Sequence, residues 1–151
     1  MTTLKQRIKD EMKAALLSGD RFVGDTLRNL GAAILDEEVK QGVRETGLDN
    51  AAVEQVIVRE VKKRRDAAEI YRTNGRPELA EPEEREMAVL QHYLPQPLSD
   101  EELQAVVTQT IAELGADNPR MTGQVIGVKA KVGNRADGRA IAQLVQRALA
   151  P

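Results

Sequence analysis

The chain has 151 residues, enough for one domain or for a larger unit with a small companion. Its 22 basic and 24 acidic side chains leave a net charge of -2, so nothing global attracts nucleic acid or membrane. The absence of cysteine excludes disulfides, thiolate zinc sites and cysteine nucleophiles. With no Trp, one Phe and two Tyr, the core has to be aliphatic, and the Ala-, Leu-, Val- and Glu-rich composition favours helix over sheet.

Leu4, Ile8, Met12 and Leu16 recur at helical spacing and predict a first helix that ends at Ser18-Gly19-Asp20. Asp20 caps a second helix, with Val23, Leu27, Leu30, Ile34 and Val39 as its buried stripe up to Gly42. A loop over residues 42–50 ends in a cap at Asp49. A long third helix then buries Val53, Val56, Ile57, Val61, Ala68 and Tyr71 and stops at Asn74-Gly75. Pro77 and Pro82 both suit a first helical turn, which predicts a short turn at Pro77 and a firmer helix from about Pro82 to Leu94. Pro95 and Pro97 mark a semi-stiff linker. Beyond it, Ser99 and Glu102 form a capping box for a fifth helix carrying Leu103, Val107 and Ile111 to Gly115. Asn118-Pro119 opens a sixth helix to about Val132, and a last one carries Ile141, Leu144, Val145 and Leu149. Period-2 alternation is absent. The expected fold is all-α, with an N-terminal helical domain over 1–94, a linker at 95–98 and a three-helix domain over 99–151.

Lys62, Lys63, Arg64 and Arg65 crowd one turn of the third helix. They read either as a solvated face or as a phosphate-contacting patch, without the aromatic residues that base stacking needs. His92 is the only histidine, which argues against zinc and favours partial packing beside Tyr93. Ser18 and Ser99 sit at helix ends with no base in sight, and Glu81, Glu83, Glu84 and Glu86 read as complements to a helix N-terminus. No catalytic residue, metal ligand or cofactor motif is expected. Gly123 and Gly127 form a G-x-x-x-G spacing, read as a close-packing or partner-facing helix surface. Residues 118–151 carry six basic side chains against Asp137 alone, a local charge of +5. The sequence GNRADGRAI, residues 133–141, lacks the residues of a P-loop or an EF-hand. Gly133 fits a helix C-cap and Asp137 an N-cap, which leaves Arg135 and Arg139 without a structural role.

Residues 123–149, GQVIGVKAKVGNRADGRAIAQLVQRAL, resemble the C-terminal motif shared by YqeY-like proteins and the tail of GatB, the B subunit of the tRNA-dependent amidotransferase. LRNLGAAI, VKKRRDAAEIYRTNGRPEL and HYLPQPLSDEEL extend the resemblance to YqeY-like proteins over nearly the whole chain. Met121, Glu78 and Pro82 depart from the usual pattern. The resemblance implies an N-terminal helical bundle with a small three-helix domain, and an association with amide transfer by a carbon-nitrogen ligase that uses glutamine as donor. It carries none of the catalytic domains. Phosphate contacts to tRNA are expected from Lys129, Lys131, Arg135 and Arg139, aided by Lys62, Lys63, Arg64 and Arg65. Amidotransferase or aminoacyl-tRNA machinery is the expected protein partner. The alternative is a protein-interaction module using the Gly123/Gly127 face. The charged N-terminal sequence and the lack of a membrane-spanning run lead to the expectation of a cytoplasmic protein.

Overall fold

Helix punctuation in the sequence decides where the chain turns. In the computed structural model, which describes residues 2–114 and 121–149, Thr3 caps α1 (Leu4–Ser18) by accepting from the Gln6 amide at 3.1 Å. Gly19 ends that helix at φ +86°, a left-handed conformation that costs glycine little. Asp20 then accepts from the Val23 amide at 3.2 Å and opens α2 (Arg21–Gln41). Asp49 does the same through Ala52 at 2.8 Å for α3 (Asn50–Thr73). The remaining helices are α4 (Pro77–Gln91), α5 (Asp100–Leu114), α6 (Met121–Val132) and α7 (Gly138–Leu149), with a 3-10 turn at Gly133–Arg135 between the last two. No strand occurs among the described residues, so the fold is all-α. The expected helix end at Gly115 and the cap at Asn118-Pro119 lie outside the described residues.

The chain divides into two units, residues 1–94 and 95–151. In the first, α1 runs along α2 and α3 runs along α4, with α2 also touching α3 and α4. Ile8, Leu27, Leu30, Ile34, Val53, Ile57 and Leu90 fill its aliphatic core. Gly24 allows the α1–α2 approach, because a Cβ there would meet Leu16 Cγ at 2.7 Å. In the second unit α5, α6 and α7 pack mutually around Leu103, Val107, Val128, Ile141 and Val145.

Two expectations fail in the first unit. α4 begins at Pro77, runs unbroken through Pro82 and ends at Gln91, short of the expected Leu94. Pro82 removes one backbone bond to the Glu78 carbonyl, a local cost of up to about 3 kcal/mol, and the fully buried Ala80 and Leu90 offset it by packing. Consequently the glutamates around Pro82 stand along the helix, where Glu84 meets Arg72 at 2.6 Å and Glu86 meets Arg64 at 3.4 Å. The second failure concerns Val39, which is 57% exposed. Helical spacing from Ile34 passes through position 38, and Glu38 occupies the buried place with 1% exposure.

Glu38 is buried because it is fully partnered. Its carboxylate accepts from Lys5 Nζ at 2.9 and 2.7 Å and from the Leu48 amide at 2.9 Å. Burial pushes the carboxyl up, yet the Lys5 and Leu48 hydrogen bonds outweigh it and hold the group below the ordinary glutamate range. The loop that follows α2 is thereby tied to α1.

Candidate functional site

The 133–141 turn is held by its own residues together with Lys129 of α6 and the segment around Gln96 and Leu98. Gly133 takes φ +57° and Ala136 returns to extended backbone. Asp137 Oδ1 accepts from the Arg139 amide at 3.2 Å, and its carbonyl accepts from Ile141 at 3.0 Å, so it starts α7. Lys129 of α6 spans the turn and donates to the Ala136 carbonyl at 3.0 Å. Arg135 Nε donates to the Gln96 carbonyl at 3.0 Å, while its own carbonyl accepts from the Leu98 amide at 2.8 Å. These two bonds fasten segment 95–98, read from sequence as a linker, to the turn. The guanidinium left without a role in the sequence therefore has one.

Ser99 and Glu102 exchange hydrogen bonds in both directions, at 3.1 and 3.3 Å. The Ser99 hydroxyl and amide hold the Glu102 carboxyl below its usual range, with the charge of Arg135 adding to them. Lys131 pairs with Glu113 of α5 at 2.7 Å, which lowers the Glu113 carboxyl in turn. Three of the four expected phosphate-binding cations of this unit are thus engaged internally. Arg139 is exposed and makes no ion pair among the described residues. Sequence reasoning passed over Arg147 as a site residue; it too is exposed and makes no ion pair among the described residues. The signal was the composition of α7, which contains two arginines and no acid.

The +5 of residues 118–151 does not survive as a property of the unit. Asp100, Glu101, Glu102, Glu113 and Asp117 lie in the same unit and bring residues 95–151 to a formal balance. Three of them occupy the first turn of α5, where they favour the helix dipole. Charge is segregated by helix: acidic residues gather on α5 and basic ones on α6 and α7.

The two glycines of α6 differ. A Cβ on Gly127 would meet Thr110 Cγ2 at 3.1 Å and Leu114 Cδ1 at 3.3 Å, so this glycine lets α5 approach. A Cβ on Gly123 would meet nothing within 4 Å among the described residues. Of the two glycines of α6, Gly127 is therefore the one that lets α5 approach among the described residues. Between them, Gln124 is completely buried with neither side-chain polar atom hydrogen-bonded among the described residues.

On α3 the basic run divides by face. Arg64 is 14% exposed and lies among Glu60 and Glu86, donating also to the Glu60 carbonyl at 2.9 Å. Lys63 reaches Glu60 at 3.6 Å from an exposed position. Lys62 and Arg65 face solvent without an ion pair among the described residues. At the far end of α4, His92 packs edge-on against Tyr93, with ring centroids 5.3 Å apart. Arg7 lies 4.9 Å from the Tyr93 ring centroid and 3.3 Å from His92 Nε2. Burial and the nearby Glu11 charge push the Tyr93 phenol up to about 12. This cluster is packing with a charged rim. No group of three or more metal-binding side chains occurs among the described residues, and no described helix is long and apolar enough to cross a membrane.

Comparison with known sequences decides the family. The model for Yqey-like protein matches residues 5–149. The chain belongs to the YqeY-like family. Among curated relatives, altered inheritance of mitochondria protein 41 of Lachancea thermotolerans is 29% identical over 116 residues, covering 76% of this chain and 61% of the relative. The protein of the same name in Eremothecium gossypii is 32% identical over 87 residues, covering 58% and 46%. The chain thus spans roughly half to three fifths of these relatives' length. Both are named as mitochondrial proteins, as are the matching proteins of Vanderwaltozyma polyspora and Kluyveromyces lactis. This overturns the expectation of a cytoplasmic protein. A cysteine-free chain without an apolar span suits the aqueous interior of an organelle as well as the cytosol, so those features never discriminated between them.

Proposed function

We propose that this YqeY-like protein is a non-catalytic RNA-binding accessory module, with tRNA as its RNA and amide transfer on charged tRNA as the process it assists. The observation that supports this reading is α7. Arg139 and Arg147 are exposed on a helix without an acidic residue, and neither has an ion-pair partner among the described residues. Eight residues separate them, about 12 Å along the axis, and the exposed amides of Gln143 and Gln146 lie between. Such a row suits a phosphate backbone, with arginine as the bidentate donor and glutamine as the neutral one. Lys62 and Arg65 supply a separate exposed pair on the first unit. The relatives' printed name refers to inheritance of mitochondria and carries no chemistry, so the charge geometry bears the reading.

The test is a salt-titrated binding assay against total tRNA. Joint substitution Arg139→Ala and Arg147→Ala should weaken binding by about tenfold or more at low salt, and flatten the log–log salt slope by about two. Undetectable binding by the unaltered chain, or an unchanged slope in the double variant, would remove the proposal. Stimulated transamidation in the presence of amidotransferase would support the assisted process separately.

A second reading, a protein-interaction module on α6, is favoured by one observation: Ile126 is 63% exposed beside the open Gly123. An isolated complex that protects Ile126 from solvent would support it. A partner that binds Ile126→Glu as well as the unaltered chain would remove it.

A further inference from the structure

We propose that Asn74–Gly75, where α3 passes into the turn before α4, is a site of spontaneous deamidation gated by the end of the helix. Of the chain's asparagines, Asn29, Asn50, Asn74, Asn118 and Asn134, only Asn74 precedes a glycine. The reaction is intramolecular. The Gly75 amide nitrogen attacks the Asn74 carboxamide carbon and gives up its proton to solvent, while the side-chain nitrogen leaves as ammonia. Water then opens the resulting cyclic imide at either carbonyl, which leaves aspartate or its backbone isomer, isoaspartate. Glycine presents its nitrogen with no side chain in the way, and both residues are exposed to the water that the second step consumes.

The folded geometry holds the reaction back. Ring closure requires the Asn74 Cγ to swing over the Gly75 nitrogen, whereas the observed ψ of 13° points that nitrogen away from the side chain. Hydrogen bonds fix it there. Asn74 Nδ2 donates to the Ile70 carbonyl at 2.8 Å, the Gly75 amide to the Arg72 carbonyl at 3.1 Å and the Arg76 amide to the Tyr71 carbonyl at 2.7 Å. The first two bonds occupy the leaving group and the nucleophile themselves. The chemistry therefore waits on opening of this end of α3, and its rate reports that opening.

The product cannot close the cap again. An aspartate carboxylate has no hydrogen to give the Ile70 carbonyl, and its charge falls at the negative end of the α3 dipole. Asp66 and Glu69 line the same shallow hollow as Asn74 and add their own charge. The flanking cations, Arg72 and Arg76, are already paired with Glu84 and Glu78. Isoaspartate adds a methylene to the backbone just before Gly75, whose φ of +72° turns the chain toward the Arg76–Tyr71 bond and α4. The step is a one-way loosening of the α3–α4 hairpin. It uses residues of the first unit alone and is independent of the RNA-binding reading.

The test incubates the full chain in mildly alkaline buffer, folded and in guanidinium chloride, and maps its peptides by mass spectrometry. Acid at position 74 should accumulate before acid at Asn29, Asn50 or Asn134, and at least about tenfold faster in denaturant than in the fold. Asn74→Asp should melt below the unaltered chain and show faster hydrogen exchange at the Gly75 and Arg76 amides. Conversion no faster at Asn74 than at the other asparagines overturns the site. Equal rates with and without denaturant overturn the gating, and an Asn74→Asp chain as stable as the unaltered one overturns the loosening.

Discussion

Arg135 Nε donates to the Gln96 carbonyl at 3.0 Å, joining the turn before α7 to the segment that leads into α5. The bond connects residues 39 positions apart and is exposed to solvent. Arg135→Ala should therefore lower the stability of the second unit by about 1 kcal/mol and speed amide exchange at Leu98, whose amide is held by the Arg135 carbonyl. Arg139→Ala should leave exchange at Leu98 unchanged. Hydrogen exchange followed by mass spectrometry separates the two variants.

Removing Arg64 should hurt more than removing any of its basic neighbours. The guanidinium is shared by Glu60 and Glu86, whose side chains are 14% and 24% exposed, and its loss leaves Glu86 without that partner and Glu60 with only the exposed Lys63. Arg64→Ala should cost about 3 kcal/mol, whereas Lys62→Ala should stay within about 0.5 kcal/mol of the unaltered chain. Urea denaturation of the two variants checks the ranking.

Glu38 gives the first unit an acid-sensitive fastening. Its folded-state carboxyl sits below the reference value of 4.5, so the charged form is favoured by folding. The stabilisation is complete above the unfolded-state value and disappears as pH falls through the lower folded-state value. Glu38→Gln should flatten the decline in stability between about pH 5 and about pH 3, and lower stability at neutral pH because Lys5 loses its charged partner. Denaturation midpoints across that range would show both effects.

The two glycines of α6 should respond differently to alanine. Gly123→Ala enters open space and should stabilise the helix by up to about 1 kcal/mol. Gly127→Ala presses on Thr110, which is 1% exposed and has its hydroxyl bonded to the Val106 carbonyl at 2.7 Å. Its propensity gain should be cancelled or reversed. Thermal melts of the pair decide whether Gly127 alone sets the α5–α6 distance.

Gln124→Met keeps the approximate length of the side chain and removes two buried polar atoms without hydrogen bonds among the described residues. A gain of about 1 kcal/mol or more is expected. A loss would mean that the amide has a partner beyond those residues.

Much of this architecture is local, and local chemistry is what a sequence displays. Asp20, Asp49 and Ser99 each precede the amide they satisfy by three residues, so their capping is written in short words. The same holds for the alternation of Leu27, Leu30 and Ile34. The misread positions are those where a distant partner overrides the local rule. Glu38 is buried because Lys5 arrives from α1, and helix α4 continues through Pro82 because α3 supports it. In the candidate site, Lys131 and Arg135 looked available because their partners lie 18 and 39 residues away. Arg139 and Arg147 became visible as a pair only after the other cations had been accounted for.

The Lys129–Ala136 and Arg135–Gln96 bonds also affect how genetic data on this protein should be interpreted. Both cations hold carbonyls that keep the turn closed, and Arg135 also adds its charge to the field at the Glu102 carboxyl. A screen scoring loss of function at these positions would mix destabilised alleles with any that lose a ligand contact. Alleles at Arg139 and Arg147, which are exposed and make no ion pair among the described residues, are the ones whose phenotypes would speak for a partner.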